Sequence, residues 1–168
     1  MGVGKSTVGR LLAGRLAVAF RDTDDDVVTA EGRTVAQIFA EEGEPGFRAR
    51  ERQAVDAALR EHGGVLALGG GAVVDPATRA QLVCQSVVYL SMGAREAVRR
   101  TGLTVDRPLL SVDPGGRWRE LMEARRQLYE EVATVVVATD GRTPEEVTGT
   151  VLGALASRQR RPRRSRRR

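Results

Sequence analysis

Residues 2 to 7 are Gly2-Val3-Gly4-Lys5-Ser6-Thr7, a glycine-rich turn running into a helix. They fit the second half of the pattern G-x-x-x-x-G-K-S/T. Glycines let the backbone curl until successive N–H groups face an anion, and a helix opening at Lys5 adds its positive end. Lysine in that pattern reaches the β- and γ-phosphates of a nucleotide, while the Ser6 hydroxyl holds Mg2+. Val8, Leu11, Leu12 and Leu16 follow at helical spacing, as the pattern requires; the competing reading is a glycine-rich start with a chance lysine. The first glycine of the pattern and its neighbour fall upstream of Met1, as does the buried strand that should feed the loop. The expectation is a natural start codon further upstream and a sheet whose first, central strand is absent from this chain.

Working outward, Ala17 to Arg21 has the composition of a short buried strand running into Asp22, Asp24, Asp25 and Asp26. Thr34 and Gln37 form a capping-box pattern for a short helix that Gly43, Pro45 and Gly46 punctuate. A helix from Phe47 to about His62, a strand at Val65 to Leu68 and a triple glycine at 69 to 71 come next. Asp75 and Pro76 cap a helix to about Gln85, Ser86 to Met92 is a strand, and Ala94 to Thr101 is helical. Residues 102 to 116 have the composition of a loop, expected to be a mobile lid. A helix at 117 to 132, a strand at 134 to 138 and a helix from Thr143 to about Ser157 complete the pattern. Apolar strands alternating with helices imply an α/β fold, a parallel sheet with helices on both faces.

The chain of 168 residues fits one domain, expected at 1 to 157, and holds no apolar run long enough to span a membrane. A single cysteine, Cys84, expected in or near the core, cannot close a disulfide within the chain, so the expected setting is the cytoplasm. His62 is read as a helix-end residue. Net charge is +5, but residues 158 to 168 carry eight arginines and no acid, and without them the remainder stands at −3. The basic signal belongs to a tail expected to be disordered, with weak nucleic-acid binding as its side effect. Of 27 basic residues only Lys5 is lysine, a compact point charge where 26 others are planar forks.

Four groups carry chemistry. The first is the glycine-rich loop. The second is Asp22-Thr23-Asp24 at a strand end, where alternate residues share a face: one carboxylate can hold the waters of Mg2+ and the other can accept a proton from an attacking hydroxyl. Asp25 and Asp26 are expected to cap the next helix. The third is Gly69-Gly70-Gly71 at the carboxyl end of a strand, where open α/β sheets bind ligands. The fourth is a set of separated arginines, Arg48, Arg100, Arg107 and Arg125, whose forks suit a carboxylate or a transferring phosphoryl group.

In order and spacing, GVGKST at 2 to 7, DTD at 22 to 24, FRARE at 47 to 51, LALGGGAV at 66 to 73, RRTGLTVDRPLL at 99 to 110 and RRQLY at 125 to 129 resemble shikimate kinase. The resemblance covers residues 1 to about 156 and implies the three-layer P-loop kinase fold. It implies ATP-dependent phosphorylation of the shikimate 3-hydroxyl, with Mg2+ as cofactor; the expected state of the chain is a monomer. Lys5 and the backbone of Gly2, Val3, Gly4, Lys5, Ser6 and Thr7 would hold the phosphates; Ser6 would bind Mg2+, with Asp22 orienting it through water. Asp24 would take the hydroxyl proton and bind shikimate hydroxyls. Arg48 and Arg125 would meet the shikimate carboxylate, with amides from Gly70 and Gly71. Arg107 would reach the transferring phosphate, and Arg100 and Arg142 would lie by the adenine. Gln127 stands where the family often has Pro, and of the adjacent Arg125 and Arg126 the distance to Leu128-Tyr129 favours Arg125. The competing readings are a gluconate kinase or other small-metabolite kinase of this fold, and a truncated inactive form with a nucleic-acid-binding tail.

Overall fold

The computed structural model describes residues 2 to 101 and 114 to 159. Helix α1 (Lys5–Leu16) leads into strand β1 (Phe20–Asp22), then α2 (Thr23–Glu31), α3 (Val35–Glu61) and β2 (Val65–Ala67). A 3-10 turn (Ala72–Val74), α4 (Pro76–Leu82), β3 (Val88–Ser91), α5 (Ala94–Thr101), α6 (Pro114–Val132), β4 (Val135–Ala138) and α7 (Pro144–Gln159) complete the order.

The strands are parallel and form two pairs. β1 lies on β2 with Phe20 opposite Val65, and β3 lies on β4 with Val88 opposite Val135. Among the described residues no strand joins β2 to β3. Alternation along β3 sets the layers. Val88 and Leu90 pack with Val8, Leu12, Val147 and Val151 of α1 and α7, whereas Tyr89 stacks on Tyr129 of α6 at 4.9 Å between ring centroids. Two smaller apolar clusters seat the site: Val27, Ile38 and Phe47 fasten α2 to α3, and Val73, Leu82 and Val132 join the glycine loop to α4 and α6.

Several expected boundaries move. The strand expected at 17 to 21 begins only at Phe20, because Ala17 takes a left-handed turn that closes α1, its N–H bonded to the carbonyls of Ala13 and Gly14. The two helices expected at 34 to 62 abut without a loop, the change of direction being confined to Gly43 at φ 69° and ψ −175°. The Thr34–Gln37 capping box is formed. Pro114 to Gly116, expected in the lid, open α6, and residues 102 to 113 lie outside the described set. Helix α7 runs on to Gln159, so Arg158 belongs to the fold, its guanidinium donating to the Thr134 carbonyl at 2.7 Å. Residues 160 to 168 lie outside the described set. Cys84 is exposed rather than near the core, since α4 ends at Leu82 and the chain turns outward before β3. His62 caps the end of α3, as expected. No helix among the described residues is long and apolar enough to cross a membrane.

Candidate active site

The site is built at the carboxyl ends of the strands. Gly4 caps α1 at φ 90° and ψ 22°, a backbone state that a Cβ would strain, and its carbonyl takes the first helical bond from Val8 N–H. The N–H groups of the first turn, Lys5 to Thr7, are those a helix leaves without internal partners. Gly2, Val3 and Lys5 are half-buried beside this turn. The Ser6 hydroxyl donates to Asp22 Oδ2 at 2.6 Å.

Asp22 is 8% exposed and ends β1. The expectation that Asp22 and Asp24 share a strand face is corrected: the strand stops at Asp22, which becomes the N-cap of α2 and accepts the Asp24 N–H at 3.1 Å on Oδ1. The turn into the helix, not strand alternation, separates the two carboxylates. Asp25 and Asp26 do not cap. Asp25 is exposed near Arg10, and Asp26 pairs with Arg21 at 2.8 Å. The hydroxyl of Ser6 and the carboxylate of Asp22 are an all-oxygen donor pair. That suits a hard cation such as Mg2+, which keeps several waters and takes further oxygens from phosphates.

The second half of the site surrounds the glycine loop. Arg48 lies between two carboxylates of its own helix, Glu44 at 2.9 Å and Glu51 at 2.5 Å. Glu51 is only 3% exposed, and burial pushes its carboxyl up despite the Arg48 charge, with Asp24 adding to the rise. Two of the three glycines, Gly69 and Gly71, are held by close approach. A Cβ on Gly69 would stand 2.3 Å from Glu51 Oε1 and 2.7 Å from Asp24 Oδ1, and one on Gly71 would stand 1.9 Å from Arg48 Nη1. From α6, Tyr129 donates its hydroxyl to the Gly70 carbonyl at 2.5 Å and Arg125 Nη1 donates to the same oxygen at 3.3 Å. Arg126 points elsewhere, to an exposed pairing with Glu123 at 3.5 Å. A cavity of about 220 Å³ opens beside Arg48, Glu51 and Gly71.

Farther along the strand ends, Arg100 donates to the Thr139 carbonyl at 2.7 Å and to Glu96 at 2.6 Å. Arg99 and Arg100 together hold the Glu96 carboxyl down to about 2. Arg142 is exposed in the turn after Thr139, its N–H bonded to that carbonyl. Arg107 lies outside the described residues. A larger cavity of about 540 Å³, lined by Cys84, Ser86, Thr134 and Arg158, lies at the opposite ends of β3 and β4, away from these groups.

Thus Ser6 with Asp22, and Asp24 with Arg48, Gly69 to Gly71 and Arg125, are brought together, while Arg100 and Arg142 share the Thr139 turn. Sequence reasoning passed over Glu51 and Tyr129. Both stood in quoted motifs, Glu51 one helical turn after Arg48 and Tyr129 one turn after Arg125; that spacing was the available signal.

The family model for shikimate kinase matches residues 1–156. The chain is 66% identical over 155 residues to the shikimate kinase of Streptomyces coelicolor, covering 92% of this chain and 91% of that one. It is 68% identical, with the same coverage, to that of Streptomyces avermitilis. Among solved structures it is similar to the shikimate kinase from Acinetobacter baumannii in complex with shikimate, with a TM-score of 0.91 and 36% identity over 96% of this chain and 91% of that one. It is also similar to the shikimate kinase from Aquifex aeolicus, with a TM-score of 0.80 and 29% identity over 95% and 94%. With the phosphate-loop helix, the Ser6–Asp22 pair and the arginine-flanked glycine loop at one end of the sheet, these matches show that the chain belongs to the shikimate kinase family, whose members phosphorylate shikimate on the route to the aromatic amino acids.

Proposed function

We propose that the chain transfers the γ-phosphoryl group of ATP to the 3-hydroxyl of shikimate by an arrangement of its own groups. The observation that carries this reading is the meeting of Asp24, Glu51, Arg48 and Arg125 at the Gly69 to Gly71 loop. Two guanidinium groups at one loop suit a carboxylate, and a carboxylate beside them suits a hydroxyl. Arg48 and Arg125 bind the shikimate carboxylate, and the amides of Gly70 and Gly71 complete that end. Asp24 orients the ring hydroxyls and accepts the 3-hydroxyl proton as the oxygen attacks the γ-phosphorus; the bond to the bridging oxygen breaks and ADP leaves.

The backbone amides from Gly2 to Thr7 and the Lys5 ammonium hold the phosphates, with Arg107 reaching the group in flight and Arg100 and Arg142 beside the adenine. Ser6 and Asp22 would hold Mg2+, which when bound neutralises charge on the phosphate oxygens.

The split sheet supports one further element of the fold. Among the described residues β2 and β3 each pair on one side only, so a parallel strand that feeds Gly2 would fit between them and satisfy both inner edges. The lone exposed Cys84 is in keeping with a reducing cytoplasm. We also expect the arginine tail to bind nucleic acid weakly and the protein to be a monomer.

The test is shikimate-dependent ADP release with Mg-ATP, on this chain and on a version with a strand-forming segment, a glycine and one further residue placed before Met1, beside Asp24→Asn in the same frame. Turnover that needs shikimate and falls at least about a hundredfold in Asp24→Asn supports the reading. Turnover with gluconate but not shikimate would move it to the competing kinase.

A further inference from the structure

The Gly70 carbonyl accepts two hydrogen bonds from α6, one from the Tyr129 hydroxyl at 2.5 Å and a longer one from Arg125 Nη1 at 3.3 Å. A peptide unit is planar and trans, so a carbonyl held toward α6 turns the N–H of Gly71 to the opposite side. Tyr129 is itself fixed, since its ring stacks on Tyr89 of β3 and packs with Val73, Leu82 and Val132. Burial pushes its hydroxyl further up, so it remains a protonated donor throughout the working range of pH.

The unequal pair of bonds has a chemical use. If Arg125 is to meet a substrate carboxylate, its guanidinium must give up the Gly70 carbonyl, and a half-buried carbonyl left without a donor is costly. With Tyr129 holding the shorter bond, that oxygen stays satisfied when Arg125 leaves. Resting on the carboxylate-binding role given to Arg125 above, we propose that Tyr129 is a positioning residue for the carboxylate end of the site: it fixes the Gly70–Gly71 peptide and frees Arg125 to exchange a carbonyl for the substrate.

Tyr129→Phe removes one oxygen and keeps the ring on Tyr89, so a role in packing alone would leave kinetics unchanged. The expected result is a KM for shikimate raised about tenfold with KM for Mg-ATP within about twofold, whereas Tyr89→Phe leaves both where they were. The readout that separates positioning from packing is the double-mutant cycle. In an Arg125→Ala background, where there is no guanidinium left to release and only the hold on the peptide remains, Tyr129→Phe should add a rise at least about threefold smaller than in the parent. An unchanged KM in Tyr129→Phe overturns the proposal, and so does an equal rise in both backgrounds. Should Tyr129→Phe melt near the assay temperature, shikimate binding by calorimetry in the cold gives the same ratios. If the parent protein does not phosphorylate shikimate at all, the functional reading falls and this role with it; if it does and the cycle shows no coupling, only the role of Tyr129 falls.

Discussion

Arg125 and Arg126 are neighbours in sequence yet about 100° apart around the axis of α6, and that rotation sends one to the glycine loop and the other to solvent. Arg125→Ala should raise KM for shikimate between about tenfold and a hundredfold through loss of a charge-assisted pair, with Arg126→Ala within about twofold. Steady-state kinetics on the two variants checks this, and the reverse pattern would move the carboxylate contact. Glu51 predicts a pH effect. Its carboxyl is pushed above the ordinary glutamate value by burial first, so folding favours the protonated form. The stability linked to that proton is fully present below the ordinary value and is lost as pH rises through the folded one. The melting temperature of the parent relative to Glu51→Gln should therefore fall as pH rises above the ordinary glutamate value of about 4. A constant difference above that pH would contradict it.

Elements place these residues through a few backbone decisions. At Gly43 the chain takes φ 69° and ψ −175°, open in practice only to glycine, and this one residue redirects α3 so that its second part carries Arg48 and Glu51 to the loop. Arg33 and Arg50, paired with Glu31 and Glu42, fasten the bend to the end of α2. Gly43→Ala should cost about 1–3 kcal/mol in urea unfolding. The glycine loop makes a different demand. Gly71 has an ordinary backbone, and its constraint is the Arg48 guanidinium lying where a Cβ would stand. Gly71→Ala should displace Arg48 and raise KM for shikimate at least about tenfold, while KM for Mg-ATP stays within about twofold. Equal effects on both substrates would mean that the loop itself had collapsed.

Across the whole molecule the two ends of the sheet are separated in function. Ser91, Thr139 and Asp22 mark the carboxyl ends, where the candidate chemistry gathers, and Arg158 meets Thr134 at the other end of β4. Helix α7, which residues 160 to 168 follow in the chain, therefore ends at the far face. Removing them should leave kcat/KM for shikimate within about twofold while abolishing any salt-dependent retention on nucleic acid. A large loss of turnover would place the tail in the site. The alternation of apolar strands and amphipathic helices, the phosphate-loop pattern and the order of the motifs were all legible in the chain, because period and spacing are local properties that hydrophobic burial and backbone geometry translate directly. The sequence by itself thus determined the α/β class, the kinase family and the identity of nearly every candidate residue. Only the tertiary structure decided that Asp22 caps a helix instead of sharing a strand face with Asp24, that Arg125, already favoured by its distance to Leu128-Tyr129, turns to the Gly70 carbonyl, and that Glu51 and Tyr129 belong to the glycine loop. Those outcomes depend on where a strand stops, how a helix is rotated and which carbonyl a distant hydroxyl reaches. All three are set by contacts between segments up to 59 residues apart, which no local pattern encodes.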